Sequence, residues 1–405
     1  MHYQGDNMMD VKRTNRSAAL RILHEQGGMS RKRLAEAMKL TPAAITKIIG
    51  ELIDEGLVIE GETLPGGGAG RREVTIGLDN CAYCALGLFI NLRETILSAV
   101  WLDGSVIFSE HIEIPEKAEP ETTIRMLSDR LLEATLQHGI DRNRIIGLGI
   151  AIRGITSADG RVIRNSFRSL DAEDYPIADR FEEYTGLRTV MANNVRALFS
   201  AHNYLSGAEA GSSRFFLRCE YGIGAALTVN GSLWHGWTQQ CAEIGHIPVV
   251  KAGGKLCSCG KTGCLETIAS PTAITADAEA AFSEDRTPVL YSLCGGDRKA
   301  ISLETIFEAA AAGDSVIGQI VDRAVEALSS ALKSVIYLID PQEIVLYGRM
   351  FENEYYLSRL YADLCVGVDE THTTSITKSR FNRLLEDSAA GLVMIEDFIN
   401  HGGMI

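Results

Sequence analysis

Three cysteines, Cys257, Cys259 and Cys264, fall within eight residues and follow His246 closely. Three thiolates and one imidazole make a complete tetrahedral donor set for Zn2+, and a site whose four positions are all filled by protein is structural rather than catalytic. Cys257 and Cys259 are too close in sequence for an unstrained disulfide. The chain has nine cysteines, an odd number, and shows no secretory signal, which argues against a disulfide framework. The other six (Cys81, Cys84, Cys219, Cys241, Cys294, Cys365) read as small core hydrophobes. The C-x-x-C pair Cys81–Cys84 has no second pair near it to complete a metal site.

A second chemistry lies at the front of the chain. Net charge over all 405 residues is -14, which alone speaks against nucleic acid. Residues 11–50, however, hold nine Lys/Arg against two Glu, and residues 1–80 hold eleven charges of each sign. The whole -14 therefore belongs to residues 81–405, and a basic arm precedes an acidic body.

The elements that carry the basic arm are three helices. The first spans Arg13 to about Gln26, with Ala19, Leu20, Ile22 and Leu23 on one side and Gly27-Gly28 as its stop. Ser30 caps a short second helix, Arg31 to Met38. Thr41-Pro42 opens a third, whose Ile45, Ile48, Ile49, Leu52 and Ile53 form one apolar stripe closed by Gly56. Two short helices joined by a brief turn are a helix-turn-helix. Ala43, Ala44, Thr46, Lys47 and Gly50 face away from the stripe, and with the capping Thr41 they suit approach to a DNA groove. Strands at 57–60 and 74–77 flank a glycine-rich tip ending in Arg71-Arg72, a wing for the backbone or minor groove. Double-stranded operator DNA is the expected partner.

The body, from Cys81 onward, alternates strands with helices as an α/β layout with a largely buried sheet. Strands are expected at 85–90, 96–102, 105–108, 145–152 and 343–347, with helices near 121–138 and 314–338. No apolar run is long enough to cross a bilayer, and a cytoplasmic location without membrane contact is expected.

The run Cys257-Ser258-Cys259-Gly260-Lys261-Thr262-Gly263-Cys264-Leu265-Glu266, preceded by Glu243-Ile244-Gly245-His246, resembles the hallmark of the ROK family (repressors, open reading frames and sugar kinases). The winged helix-turn-helix is similar to that of ROK transcriptional repressors of the xylose and N-acetylglucosamine type. The resemblance implies an actin-like (ribonuclease H-like) two-lobed sugar-kinase fold behind the N-terminal module. Domains are then expected at 1–80 (DNA-binding), 81–200 (first lobe, joined by a C-terminal helix at about 385–405) and 201–384 (second lobe with the zinc site). It also implies a homodimer or homotetramer, and a sugar or sugar-phosphate effector contacted by Asn193, Asn194, Glu243, His246 and Glu266. Bracing of the zinc loop is the other reading of Glu243 and Glu266.

The departures from ROK kinases concern phosphate. The first phosphate loop reads Phe89-Ile90-Asn91-Leu92-Arg93-Glu94-Thr95, without a glycine pair. The second is Glu220-Tyr221-Gly222-Ile223-Gly224, with a carboxylate where nucleotide would bring negative charge. A third, the adenosine-side glycine run, reads Tyr347-Gly348-Arg349-Met350. The position of the catalytic base is Asn194, an amide that cannot take a hydroxyl proton. No enzyme activity is expected; the alternative is a divergent sugar kinase with a regulatory DNA-binding head. Arg153 and Arg196 suit an anionic effector.

Overall fold

The computed structural model describes the chain apart from residues 1–6, 64–72, 92–93, 115–118, 158, 165–174, 208–210, 367–372, 382 and 405. It divides into two compact units, residues 1–208 with 383–405, and residues 209–382.

The first unit opens with α1 (Met8–Gln26), β1 (Met29–Ser30), α2 (Arg31–Met38), α3 (Pro42–Asp54), β2 (Val58–Thr63) and β3 (Val74–Leu78). Helix α1 begins five residues earlier than its apolar pattern suggests. Asn7 forms a capping box with Asp10, so hydrogen bonding rather than burial fixes that end. Ser30 and Thr41 cap α2 and α3 through Arg33 N–H and Ala44 N–H. Ile45, Ile48, Ile49 and Leu52 are buried. Gly56, at φ 75°, and Leu57 close α3 by donating to the carbonyls of Ile53 (2.9 Å) and Leu52 (2.9 Å). Strand β3 lies between β1 and β2 in a small sheet.

The first lobe follows as β4 (Cys84–Ile90), β5 (Glu94–Trp101), β6 (Val106–Glu113), α4 (Pro120–Gln137), β7 (Ile145–Ile152), β8 (Ile155–Thr156), β9 (Ile163–Arg164), α5 (Ile177–Thr185), β10 (Thr189–Asn193) and α6 (Asn194–Ser206). Its five-stranded sheet has the order β10-β7-β4-β5-β6, antiparallel through β4-β5-β6 and parallel through β4-β7-β10. Leu86, Leu88, Leu148 and Ile150 share a core with Leu127 and Leu131 of α4 and Phe181 of α5.

The second unit contains β11 (Arg214–Cys219), β12 (Ile223–Val229), β13 (Ser232–Leu233), α7 (Glu266–Ala269), α8 (Pro271–Ala281), α9 (Pro288–Leu293), α10 (Leu303–Ala311), α11 (Ser315–Ile339), β14 (Glu343–Tyr347), α12 (Glu354–Cys365) and β15 (Ser375–Lys378). Its sheet has the order β13-β12-β11-β14-β15. The long α11 is capped by Asp314 and buries Ile317, Val321, Leu328 and Leu332 in the core of this unit.

Helix α13 (Arg383–Asn400) returns to the first unit and packs on β4, β5, β7 and α6. The approach is close enough that a Cβ on Gly149 would lie 1.9 Å from the Ala390 carbonyl oxygen. Glycine on the strand is what lets the helix backbone touch the sheet.

Two cysteine readings need correction. Cys81 and Cys365 are exposed, so neither is a core hydrophobe. Cys81 lies in the turn before β4, where its N–H donates to Asp79, and Cys365 ends α12. Cys84, in contrast, is buried on β4, and burial pushes its thiol up to about 11.

Candidate nucleic-acid interface and metal centre

The turn between α2 and α3 holds Lys39 at φ 53°, Leu40 and the capping Thr41. A left-handed residue there lets the chain reverse in very few residues, and the Leu40 N–H bonds the Ala35 carbonyl at 3.0 Å. Helix α3 presents Thr41, Ala43, Thr46 and Lys47 to solvent, all exposed and all in its first turns. The Thr46 hydroxyl donates to the Pro42 carbonyl at 2.8 Å, leaving its lone pairs outward. Lys32 and Arg33, exposed at the start of α2, add positive charge to the module, a contribution the helix pattern alone does not single out. Arg71 and Arg72 lie outside the described residues.

One buried cation holds this module together. Arg16 on α1 is 1% exposed. Its Nε donates to the Gly402 carbonyl at 2.7 Å. Its guanidinium reaches Glu51 at 3.4 Å and forms a two-pronged pair with Glu55, 3.0 Å at one prong. Glu51 sits in the last turn of α3 and Glu55 is its C-cap. Arginine's planar fork spreads its donors far enough apart to meet the Gly402 carbonyl on one edge and the Glu55 carboxylate two-pronged on another, which the single nitrogen of lysine cannot. Sequence reasoning missed Arg16, because by pattern it is one more charge in a basic helix.

The metal centre lies in the second unit. His246 ends a single helical turn, Ile244–His246, and the cysteines lie on the knuckle that follows. Cys257 N–H donates to the Lys261 carbonyl (2.7 Å) and Gly260 N–H to the Cys257 carbonyl (2.9 Å), which folds Cys257 and Cys259 to one side. Pairing of Pro248 with Cys264 and of Leu256 with Thr262 fixes the base. The four donor atoms lie within 4.8 Å of one another. Cys257 Sγ is 3.5 Å from His246 Nδ1, and Cys259 Sγ is 3.6 Å from Cys264 Sγ. Thiolates about 2.3 Å from a tetrahedral Zn2+ stand about 3.8 Å apart, so the spacing fits. Burial and the adjacent sulfurs push the Cys264 thiol up to about 12, and only a cation would let all three sulfurs ionise together.

The residues expected at an effector lie in both units. In the first, Asn193 is the cap of α6: its amide oxygen accepts from Val195 N–H (2.9 Å) and Arg196 N–H (3.3 Å), and its Nδ2 donates to the Gly154 carbonyl (2.9 Å). Asn194 is buried beside it. In the second, Glu243 is exposed and the His246 N–H donates to the Glu243 carbonyl at 3.0 Å. The Glu266 Oε2 accepts from the Ile223 N–H at 3.0 Å, and a Cβ on Gly222 would lie 2.2 Å from it. That carboxylate braces the 220–224 loop. Glu220 in turn accepts from the Arg349 N–H at 2.9 Å and pairs with its guanidinium at 3.2 Å.

A helix-turn-helix with a two-stranded hairpin, followed by paired five-stranded α/β sheets and a His-Cys-Cys-Cys knuckle, defines a DNA-binding module on an actin-like, sugar-kinase-type body. Residues 94–387 match the ROK family and residues 15–59 the MarR family. The chain belongs to the ROK family. It is 28% identical over 347 residues to the DNA-binding transcriptional dual regulator NagC of Escherichia coli, covering 84% of this chain and 82% of that one. It is also 28% identical over 222 residues to a glucokinase of Halalkalibacterium halodurans, covering 55% of this chain and 67% of the other. In three dimensions it matches a ROK family transcriptional regulator described as a homolog of the E. coli MLC protein, with a TM-score of 0.80, 23% identity and 97% of both chains covered. Among the described residues, no helix is long and apolar enough to cross a membrane.

Proposed function

We propose that this protein is a sugar-responsive, DNA-binding transcriptional repressor that binds a carbohydrate or carbohydrate phosphate without phosphorylating it. The observation that carries the reading is a capped, solvent-facing α3 set on a ROK body. The Thr41–Lys47 face meets operator DNA, with Arg71 and Arg72 following the backbone or minor groove. Zn2+ held by His246, Cys257, Cys259 and Cys264 is a structural brace. Asn193, Asn194, Glu243 and His246 are the effector residues proposed, with Glu266 included on resemblance although its carboxylate is engaged by Ile223. A homodimer or homotetramer would present paired modules to half-sites one or more helical turns apart.

The absence of phosphoryl transfer is supported by chemistry at three positions. Asn194 offers no base, Glu220 brings negative charge to a loop that would meet phosphate, and Arg349 N–H already has a carboxylate to bond. Selection of duplexes from a random-sequence pool, followed by titration with glucose, N-acetylglucosamine and their 6-phosphates, tests the reading. Salt-sensitive duplex binding that one of these sugars weakens is the expected result. ATP turnover with any of them in a coupled assay would instead make this a sugar kinase with a DNA-binding head.

A further inference from the structure

The proposed function requires the body to act on α3, and the first unit contains the parts that would do so. Helix α6 starts at Asn193 and Asn194, the effector residues of this unit, and ends at Ser206. Eleven residues of helix carry the chain about 16 Å from Asn193 to Tyr204. There the Tyr204 ring stacks on His24 of α1, with centroids 3.7 Å apart and planes at 24°, and His24 Nε2 lies 3.3 Å from the Tyr204 carbonyl oxygen. Helix α13 packs along α6 and the sheet, and its end reaches α1 as well. Asn400 accepts from Arg21, and Gly402 accepts from Arg16.

The Gly402-Gly403 turn is shaped for this contact. Both glycines have φ 73°. A Cβ on Gly402 would lie 3.0 Å from the Arg13 carbonyl oxygen and from Arg16 Cβ, and one on Gly403 would lie 2.6 Å from Leu57 Cδ1. Arg16 thus has a body-derived carbonyl on one side and, on the other, the carboxylates of Glu51 of α3 and of Glu55, its C-cap. Tyr83, in the turn before β4, donates to the Glu55 carbonyl at 3.0 Å, a second tie from body to α3.

We propose that Arg16 is the positioning residue that couples the effector-binding body to the DNA-reading helix: displacement of α6 and α13 moves the Gly402 carbonyl, and the guanidinium carries that movement to the C-terminal end of α3. Coupling of this kind needs one element whose arrangement both sites bias, and the Arg16 fork is that element here. The inference rests on the sugar-responsive reading above.

The test measures duplex affinity with and without sugar for the full chain and for Arg16→Lys, Gly402→Ala and Glu55→Gln. The duplex is the one selected by the unsubstituted chain; the sugars are glucose, N-acetylglucosamine and their 6-phosphates. Circular dichroism and metal content verify folding, and Glu55→Gln, at a part-exposed position, keeps the test open if Arg16→Lys fails to fold. In the unsubstituted chain a sugar should change affinity by about tenfold or more. In the variants that ratio should fall towards one while the sugar still raises the melting temperature. A merely structural Arg16 would lower affinity with and without sugar alike, and a preserved ratio would overturn the proposal. If the unsubstituted chain binds no duplex, or no sugar releases it, the repressor reading itself falls and takes this inference with it.

Discussion

In the first unit a meander, β4-β5-β6, meets two parallel strands, β7 and β10; in the second, β11-β12-β13 meets β14 and β15 in the same order. The two sheets share one plan, yet they are finished by different physics. The first is closed by chain from far away, with α13 against the sheet and Arg16 gripping Gly402, a separation of 386 residues. In the second, a potential metal-ligand set between His246 and Cys264 is local in sequence, while the Glu220–Arg349 pair ties strand ends 129 residues apart. One unit has a buried cation meeting remote acceptors, the other a cluster of potential metal ligands spanning fewer than twenty residues. The lesson is that a shared sheet leaves its hairpin ends free to diverge, and the ends are where function differs.

That contrast can be broken at either end. The largest effect is expected from Cys264→Ser: bound metal is lost, and the melting temperature of the second unit drops steeply, because structural zinc contributes about 10 kcal/mol or more in small sites. Elemental analysis and calorimetry check both. Arg16→Ala comes next. Emptying the buried space of its side chain and leaving the Gly402 carbonyl without its donor should cost about 2 kcal/mol. Chemical denaturation should show that loss in the first unit, with metal content unchanged.

Acid sharpens the same comparison. A hydrogen bond from Lys12, helped by the charges of Lys12 and Arg16, holds the Glu51 carboxyl below its ordinary value. Its contribution is therefore full above the unfolded value, about 4.3, and is lost as pH falls from there through the depressed folded value. Thermal melts of the unsubstituted chain at falling pH should lose more stability than those of Glu51→Gln. Smaller still is Thr41→Ala, which removes the cap of α3 at about 1 kcal/mol and is read by denaturation of the full chain. Lys47→Ala should leave stability unchanged, while lowering duplex affinity and reducing the salt slope by about one; electrophoretic mobility at several salt concentrations would show it.

The sequence made α2 and α3 readable because their signals are local: Ser30, Thr41 and Pro42 mark starts, and isoleucines at helical spacing mark a face. The His246–Cys264 donor set was readable for the same reason, since sulfur at short spacing has few other uses. The strands at 145–152 and 343–347 emerged as buried apolar runs. The early start of α1 at Met8 was not readable, because its cap at Asn7 precedes any apolar pattern. Glu266 was legible as a polar residue near the knuckle, but its bond to Ile223 N–H depends on β12 arriving from 43 residues away. Arg16 was illegible for the same reason at greater range.

The grip of residue 16 on residue 402 also sets an order of events during synthesis. A helix-turn-helix of this size emerges early from a ribosome and has its caps and apolar stripe from the start. Its central arginine, however, has only water as the acceptor for its Nε–H until nearly four hundred further residues have been joined and α13 has docked. A polypeptide interrupted before Gly402 would carry every residue of the DNA-reading face and still lack the acceptor that sets it. Translation to that turn is thus a condition for completing the hydrogen bonds of Arg16.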